Sequence, residues 1–263
     1  MTAIDSPRPT RRRAGVGHAL AALGGRPLPV TGRGAAVLAY HDVGDLPDHP
    51  TDYLVTPARL REQLVAIRGW GQRIVPLATI VERLRSGASL DGLVAVTFDD
   101  ALLGVAEHAV PILSDLGVPA TVFVCSARRG VAPEFWPGAR RTLDTNELRG
   151  LLAAGITIGS HTRTHASLTD VDDAALAREL AGSKQELEDL AGAPVDLVAY
   201  PFGHEDGRVR AAAARAGYAA ATTFTFGRTT PATDRFAIPR FCMGPGHTRA
   251  RLAYHLARPP DAW

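Results

Sequence analysis

Two pairs of residues in this chain have the types and spacing that metal-assisted hydrolysis requires: the adjacent carboxylates Asp99 and Asp100, and the imidazoles His161 and His165. Two imidazoles and one carboxylate suit Zn²⁺ or a neighbouring divalent cation and leave positions open for water and substrate. Only one aspartate need be a ligand, so its neighbour can accept a proton from a water whose pKa the cation lowers. Adjacent residues at a strand end point in different directions, which lets a paired Asp serve two roles. His161 and His165 can aim at one point if the segment between them coils. Each signal alone has a plainer reading. Two histidines four apart arise by chance in many chains, aspartates after a strand commonly shape a turn or cap a helix, and His41 within a strand reads as a hydrogen-bonded core residue. The conjunction at several strand ends decides for chemistry, because independent coincidences multiply.

The elements that must position these groups are legible from residue 36 onward. Apolar and β-branched runs predict strands over 37–43, 73–77, 93–98, 120–125, 156–160, 195–200 and 218–224. Between them, helical patterns cover 57–68, 77–85, 104–116, 145–154, 172–190, 206–216 and 248–256. Helix starts are marked by Thr56, Asp144, Asp170 and Glu205-Asp206, and stops by Gly69, Gly117, Gly155 and Gly217. Strand followed by helix, repeated, implies parallel strands with right-handed crossovers. Runs such as Leu93-Val94-Ala95-Val96 are apolar on both faces, as buried parallel strands are. A barrel or a doubly wound sheet follows, with ligands bound at the carboxyl ends of its strands. There the sequence places Tyr40-His41-Asp42, Asp99-Asp100, His161 with His165, and Pro201-Phe202-Gly203. The helix at 172–190, apolar at Leu176, Leu180 and Leu187, reads as an outer helix with a solvated face.

The 263 residues carry 29 basic and 27 acidic side chains, a net charge of +2, which gives no electrostatic footprint for nucleic acid. Cys125 and Cys242, the only cysteines, are not spaced as a thiolate zinc site and read as small apolar residues. Residues 1–35 read as a flexible basic leader ahead of a catalytic domain at 36–263. Arg11-Arg12-Arg13 followed by an Ala/Gly/Leu stretch has the order of an export signal, but His18 and four glycines weaken it. A cytoplasmic protein without stable membrane insertion is expected, with export through a weak signal as the alternative. His49 and His108 have no partner signal.

The segments Thr97-Phe98-Asp99-Asp100, Ser160-His161-Thr162-Arg163-Thr164-His165 and Ala199-Tyr200-Pro201-Phe202-Gly203 resemble, in order and separation, the polysaccharide deacetylase family, carbohydrate esterase family 4. The resemblance covers about residues 36–245 and implies a distorted (β/α) barrel of about seven parallel strands. It also implies that Asp99 is the general base, that Asp100, His161 and His165 hold a divalent cation, most simply Zn²⁺, and that the Phe202 N–H helps to form an oxyanion hole. Tyr40-His41-Asp42-Val43 is similar to the branch that carries the acid motif on the N-terminal side, as in exopolysaccharide N-deacetylases. His41 is therefore assigned the general acid role, with His247 and His255 as alternatives. The chain departs from the family pattern in having Ala101 after the Asp pair, then Leu102-Leu103, which points to a more apolar groove. It also lacks the arginine often found ahead of Pro-Phe-Gly. Arg240 is expected either to orient Asp99 and lower its pKa or to play a structural role. Phe135 and Trp136 could stack on a sugar, cover an acyl chain or form a packing lid, and His204 is read as structural or substrate-touching. The expected substrate is an acetylated amino-sugar or glycan. A small non-glycan amide, a non-haem iron reaction and a non-catalytic glycan-binding role are the competing readings.

Overall fold

The computed structural model describes residues 33–45 and 52–258. Residues 1–32 of the expected leader, with His18 and His49, lie outside the described residues. In chain order the elements are β1 (Ala36–Tyr40), β2 (Asp42–Val43), β3 (Leu54–Val55), α1 (Pro57–Gly69), β4 (Arg73–Ile74), α2 (Leu77–Ser86), β5 (Leu93–Phe98), α3 (Val110–Leu116), β6 (Thr121–Val124), α4 (Thr145–Ala153), β7 (Thr157–Ser160), α5 (Asp173–Ala177), α6 (Ser183–Ala191), β8 (Leu197–Ala199), α7 (Gly207–Arg215), β9 (Ala220–Thr222), β10 (Phe241–Cys242) and α8 (Arg249–Ala257). A π-helical turn, Val105–Ala109, leads into α3, and another, Arg178–Gly182, joins α5 to α6 in one rod.

Every strand pairing in the main sheet is parallel, in the order β10-β1-β5-β6-β7-β8-β9, with β4 also beside β5. This is the distorted (β/α) barrel the sequence predicts. Its seam is spanned by residues 235–242. The first part of that segment bonds to β9, through Ala221 N–H to Arg235 O at 2.8 Å and Ile238 N–H to Ala221 O at 3.0 Å. Its last part is β10, which pairs with Leu38 and Ala39 of β1.

Alternation along the strands divides the apolar residues into two layers. Leu38, Tyr40, Val94, Val96 and Phe98 belong to the cluster shared with the surrounding helices. Val37, Ala95, Phe123, Leu197 and Ala199 form a second cluster with Leu77, Ile80 and Val81 of α2, which closes the interior. On the inner face of β5 the series Leu93, Ala95, Thr97, Asp99 therefore runs from apolar filling to buried carboxylate. Gly159 of β7 is required by this packing, since a Cβ there would lie 2.5 Å from Phe123 Cδ1.

Local differences from the sequence reading have simple causes. The strand expected over 37–43 breaks at His41, because Asp42 and Val43 leave the main sheet to pair with β3. Two-residue strands such as β10 are too short to show a periodicity. Asp172, not Asp170, caps α5, accepting the Ala175 N–H at 2.7 Å. Asp144 makes a full capping box with Glu147 at the start of α4.

Candidate active site

Five non-glycine residues among those described have positive φ: Asp100 (65°), Ala101 (51°), Thr162 (64°), His165 (66°) and Phe202 (58°). Four lie in the three motif segments and Ala101 directly follows the first of them, all at the carboxyl ends of β5, β7 and β8. Left-handed backbone is unfavourable for residues with a Cβ, and its concentration at one rim marks a site whose geometry is fixed against local preference.

At that rim one ligand atom from each of Asp100, His161 and His165 lies within 4.8 Å of the others, and all three residues are buried. Asp100 Oδ1 stands 3.5 Å from both His161 Nε2 and His165 Nε2 and has no hydrogen-bond partner among the described residues. His161 Nδ1 lies 2.8 Å from the Ala199 carbonyl, which can only accept, so the proton is on Nδ1 and the Nε2 lone pair faces the cluster. His165 is held by rings instead: Phe135 stacks on it at 3.8 Å and Phe202 meets it edge-on at 4.7 Å. Burial lowers the pKa of both histidines, His165 to about 2, so both imidazoles are neutral. Burial, followed by the like charge of Asp99, raises Asp100 well above the ordinary carboxylate value. Two neutral imidazoles and an orphaned carboxylate oxygen fit a divalent cation, whose charge reverses the cost of burying Asp100.

Asp99 is wholly buried beside this cluster. Arg240 grips it through Nη1 to Oδ1 and Nη2 to Oδ2, both at 2.7 Å, with both side chains 0% exposed. The guanidinium is itself fixed by Nε donating to Thr223 O at 3.0 Å and by Phe224, whose ring lies 4.6 Å from Cζ. Burial alone would raise the Asp99 pKa. Arg240, by charge and hydrogen bonds, outweighs it and keeps the carboxyl well below its usual range. Of the two roles open to Arg240 in the sequence, the contact with Asp99 is the one present.

His41, at the break between β1 and β2, lies against Tyr53, Trp136 and Phe224 at ring distances of 4.7, 5.7 and 5.7 Å. Burial lowers its pKa to about 4, against the opposing charge of Asp99. His247 and His255 are elsewhere. They pair with each other at 5.6 Å, His255 stacks on Phe241, and His247 Nδ1 accepts the Gly244 N–H. Phe202 is 48% exposed at the rim, in a turn closed by Gly203 N–H to Tyr200 O at 2.9 Å and His204 N–H to Pro201 O at 3.1 Å. His204 is exposed, with Nδ1 3.2 Å from Ser167 Oγ. Leu102 does not line a groove: it is fully buried and bridges to Thr142, which corrects the expectation of an apolar wall there. Cys125 is buried with its thiol 3.4 Å from His161 O, and Cys242 is half-buried.

The sequence reading missed Glu179. Its carboxylate accepts the N–H groups of Arg163 and Thr164 at 2.9 and 2.8 Å and the Thr164 hydroxyl at 2.6 Å, bracing the loop between the two histidines. An acidic residue on a charged helix gives no linear signal for such a contact. Ser183, on the same rod, donates to Thr162 O at 2.9 Å.

A family model for polysaccharide deacetylases matches residues 87–221, and the chain belongs to that family. Among curated proteins it is similar to a putative polysaccharide deacetylase of Bacillus subtilis, YxkH, at 26% identity over 163 residues, 62% of this chain and 56% of that protein. The match thus spans about half the length of that relative. Among solved structures, the Streptococcus pyogenes deacetylase PplD in complex with acetate superposes with a TM-score of 0.75 at 21% identity, covering 87% of this chain and 99% of that one. A polysaccharide deacetylase from Bacillus cereus gives a TM-score of 0.73 at 26% identity, covering 85% and 69%.

Proposed function

We propose that this protein hydrolyses the N-acetyl group of an acetylated amino-sugar in a glycan, holding a divalent cation, most simply Zn²⁺, through Asp100, His161 and His165. The observation that carries the reading is the convergence of those three ligand atoms within 4.8 Å beside a carboxylate braced by an arginine. When bound, the cation supplies Lewis-acid polarisation of the acetyl carbonyl and lowers the pKa of the attacking water. Asp99 accepts the water's proton. Arg240 bonds both its oxygens, which fixes the carboxylate's direction and keeps it ionised. The Phe202 N–H donates to the oxygen that becomes negative in the tetrahedral species, a preorganised donor of the kind worth about 3–4 kcal/mol in acyl transfer. His41 gives a proton to the departing nitrogen. An imidazole is the side chain whose ordinary pKa suits such a transfer near neutral pH.

The test is acetate release, measured by mass spectrometry, from zinc-loaded protein given acetylated chito-oligosaccharides and small acetamides. Release from the oligosaccharides, lost with a chelator and reduced by about a hundredfold or more in Asp99→Asn, is the expected result. Release from neither substrate class by metal-loaded protein would refute the deacetylase reading.

A further inference from the structure

Between β6 and α4, residues 127–142 form a strap whose tip carries Phe135 and Trp136. The strap's base is tied to the barrel: Ala127 N–H donates to Arg163 O at 2.9 Å, Leu143 N–H donates to Ala101 O at 2.8 Å, and Leu103 N–H donates to Arg141 O at 3.0 Å. The tip is different. Among the described residues, backbone bonds over 133–139 close only within the tip, Trp136 N–H to Pro133 O and Ala139 N–H to Trp136 O, both at 3.1 Å. Yet this tip places Phe135 flat on His165 and Trp136 edge-on to both His41 and Tyr53. Glu134 in the tip also pairs with Arg128 at 3.2 Å, but that exposed ion pair joins the strap only to itself, and a tie from the tip to the barrel is still needed.

Arg140 supplies that tie. Its Nε and Nη2 meet Asp42 Oδ2 and Oδ1, each at 3.0 Å, Nη2 also donates to Val43 O at 2.6 Å, and Nη1 reaches Glu107 Oε2 at 3.3 Å. The guanidinium is wedged against two glycines. A Cβ at Gly104 would lie 2.0 Å from Nη2, and one at Gly44 would lie 2.5 Å from it. Gly104 has φ −64° and ψ −16°, a conformation any residue adopts, so its lack of a side chain is explained by the crowding of Arg140, Asp42 and Val43 and not by the backbone. A side-on, bidentate arginine in a slot without side chains is a geometry that lysine cannot reproduce.

We propose that Arg140 is a positioning residue that latches the aromatic strap to the strand end bearing His41, and so sets the planes of Phe135 and Trp136 over the site. The catalytic part of this inference rests on the deacetylase reading; the latch itself does not. Breaking it leaves the strap's base attached and its tip held only by the ring contacts and the surface Arg128–Glu134 pair.

Full-length protein labelled with 5-fluorotryptophan tests the latch by ¹⁹F NMR, with the Trp136 resonance assigned by Trp136→Phe. In Arg140→Ala the Trp136 resonance is expected to shift or broaden while that of buried Trp70 stays in place. Asp42→Asn, which keeps the shape of the partner and removes its charge, should give the same change in weaker form. In the acetate assay, Arg140→Ala should lower kcat/KM by about tenfold or more through loss of orientation. A Trp136 resonance unmoved in both variants, or one that moves only together with Trp70, overturns the proposal. If the native protein releases no acetate, the deacetylase reading fails, and the Trp136 resonance still decides the latch. Should Arg140→Ala fail to fold, Asp42→Asn carries the test.

Discussion

At the scale of single residues, the site is built from groups that would be unstable alone. Arg240 and Asp99 are both fully buried, and each makes the other tolerable. Replacing Arg240 by Met leaves a buried carboxylate without its counter-charge, and should destabilise the protein by about 3–5 kcal/mol at neutral pH. The sign of the pH dependence follows from the lowered Asp99 pKa. The pair's stabilisation is complete above the unfolded carboxyl's pKa, about 3.9, and is lost as pH falls through the lower folded value. The gap between native protein and Arg240→Met should therefore narrow as pH falls below about 3.9 in urea titrations; a gap that stays constant down to about pH 2 would count against this account. The two residues are 141 positions apart. Residue types suggested a contact but could not select it over a structural role, because neither has a local pattern that depends on the other. Asp42 and Arg140 show the harder case: 98 positions apart, they gave no signal at all.

At the scale of elements, the long regular pieces were legible and the irregular ones were not. Seven strands and seven helical regions announce themselves because alternation and the 3.6-residue period persist over enough residues to be seen. The π-turns, β2, β3 and β10 depend on tertiary pairing and have no period of their own. That limit hid a functional relation. The rod formed by α5, the Arg178–Gly182 turn and α6 was read as an outer helix with a solvated face, yet Glu179, 8% exposed, points from its π-turn into the loop that sets His165. Partners that orient metal ligands typically govern affinity by 10–100-fold. Glu179→Gln should thus weaken zinc binding by about 10–100-fold, measured against a chromophoric chelator, with the far-UV spectrum unchanged. Unaltered zinc affinity would reduce Glu179 to scaffolding.

At the scale of the whole molecule, distant stretches are joined by a few buried cations. Arg228 donates to the carbonyls of Arg33 and Gly34 where the chain enters β1, and to that of Leu256 in α8, at 2.6 to 2.7 Å. Burial lowers its pKa to about 10, so it remains charged at neutral pH. Arg228→Ala should cost about 1.5–3 kcal/mol, the scale of charged hydrogen bonds, with faster amide exchange in β1 and α8 than in β6 and β7. Uniform acceleration would show that the clamp is not local. The alternation of strand and helix made the barrel foreseeable, but not its closure, since residues 235–242 pair with β9 and β1 in succession through contacts far apart in sequence.

That arrangement ties closure of the ring to the aiming of the candidate base. The guanidinium that aims the candidate base rides on the last piece of backbone to complete the ring. Until this piece docks between the first and last strands, Asp99 has no counter-charge and no fixed direction.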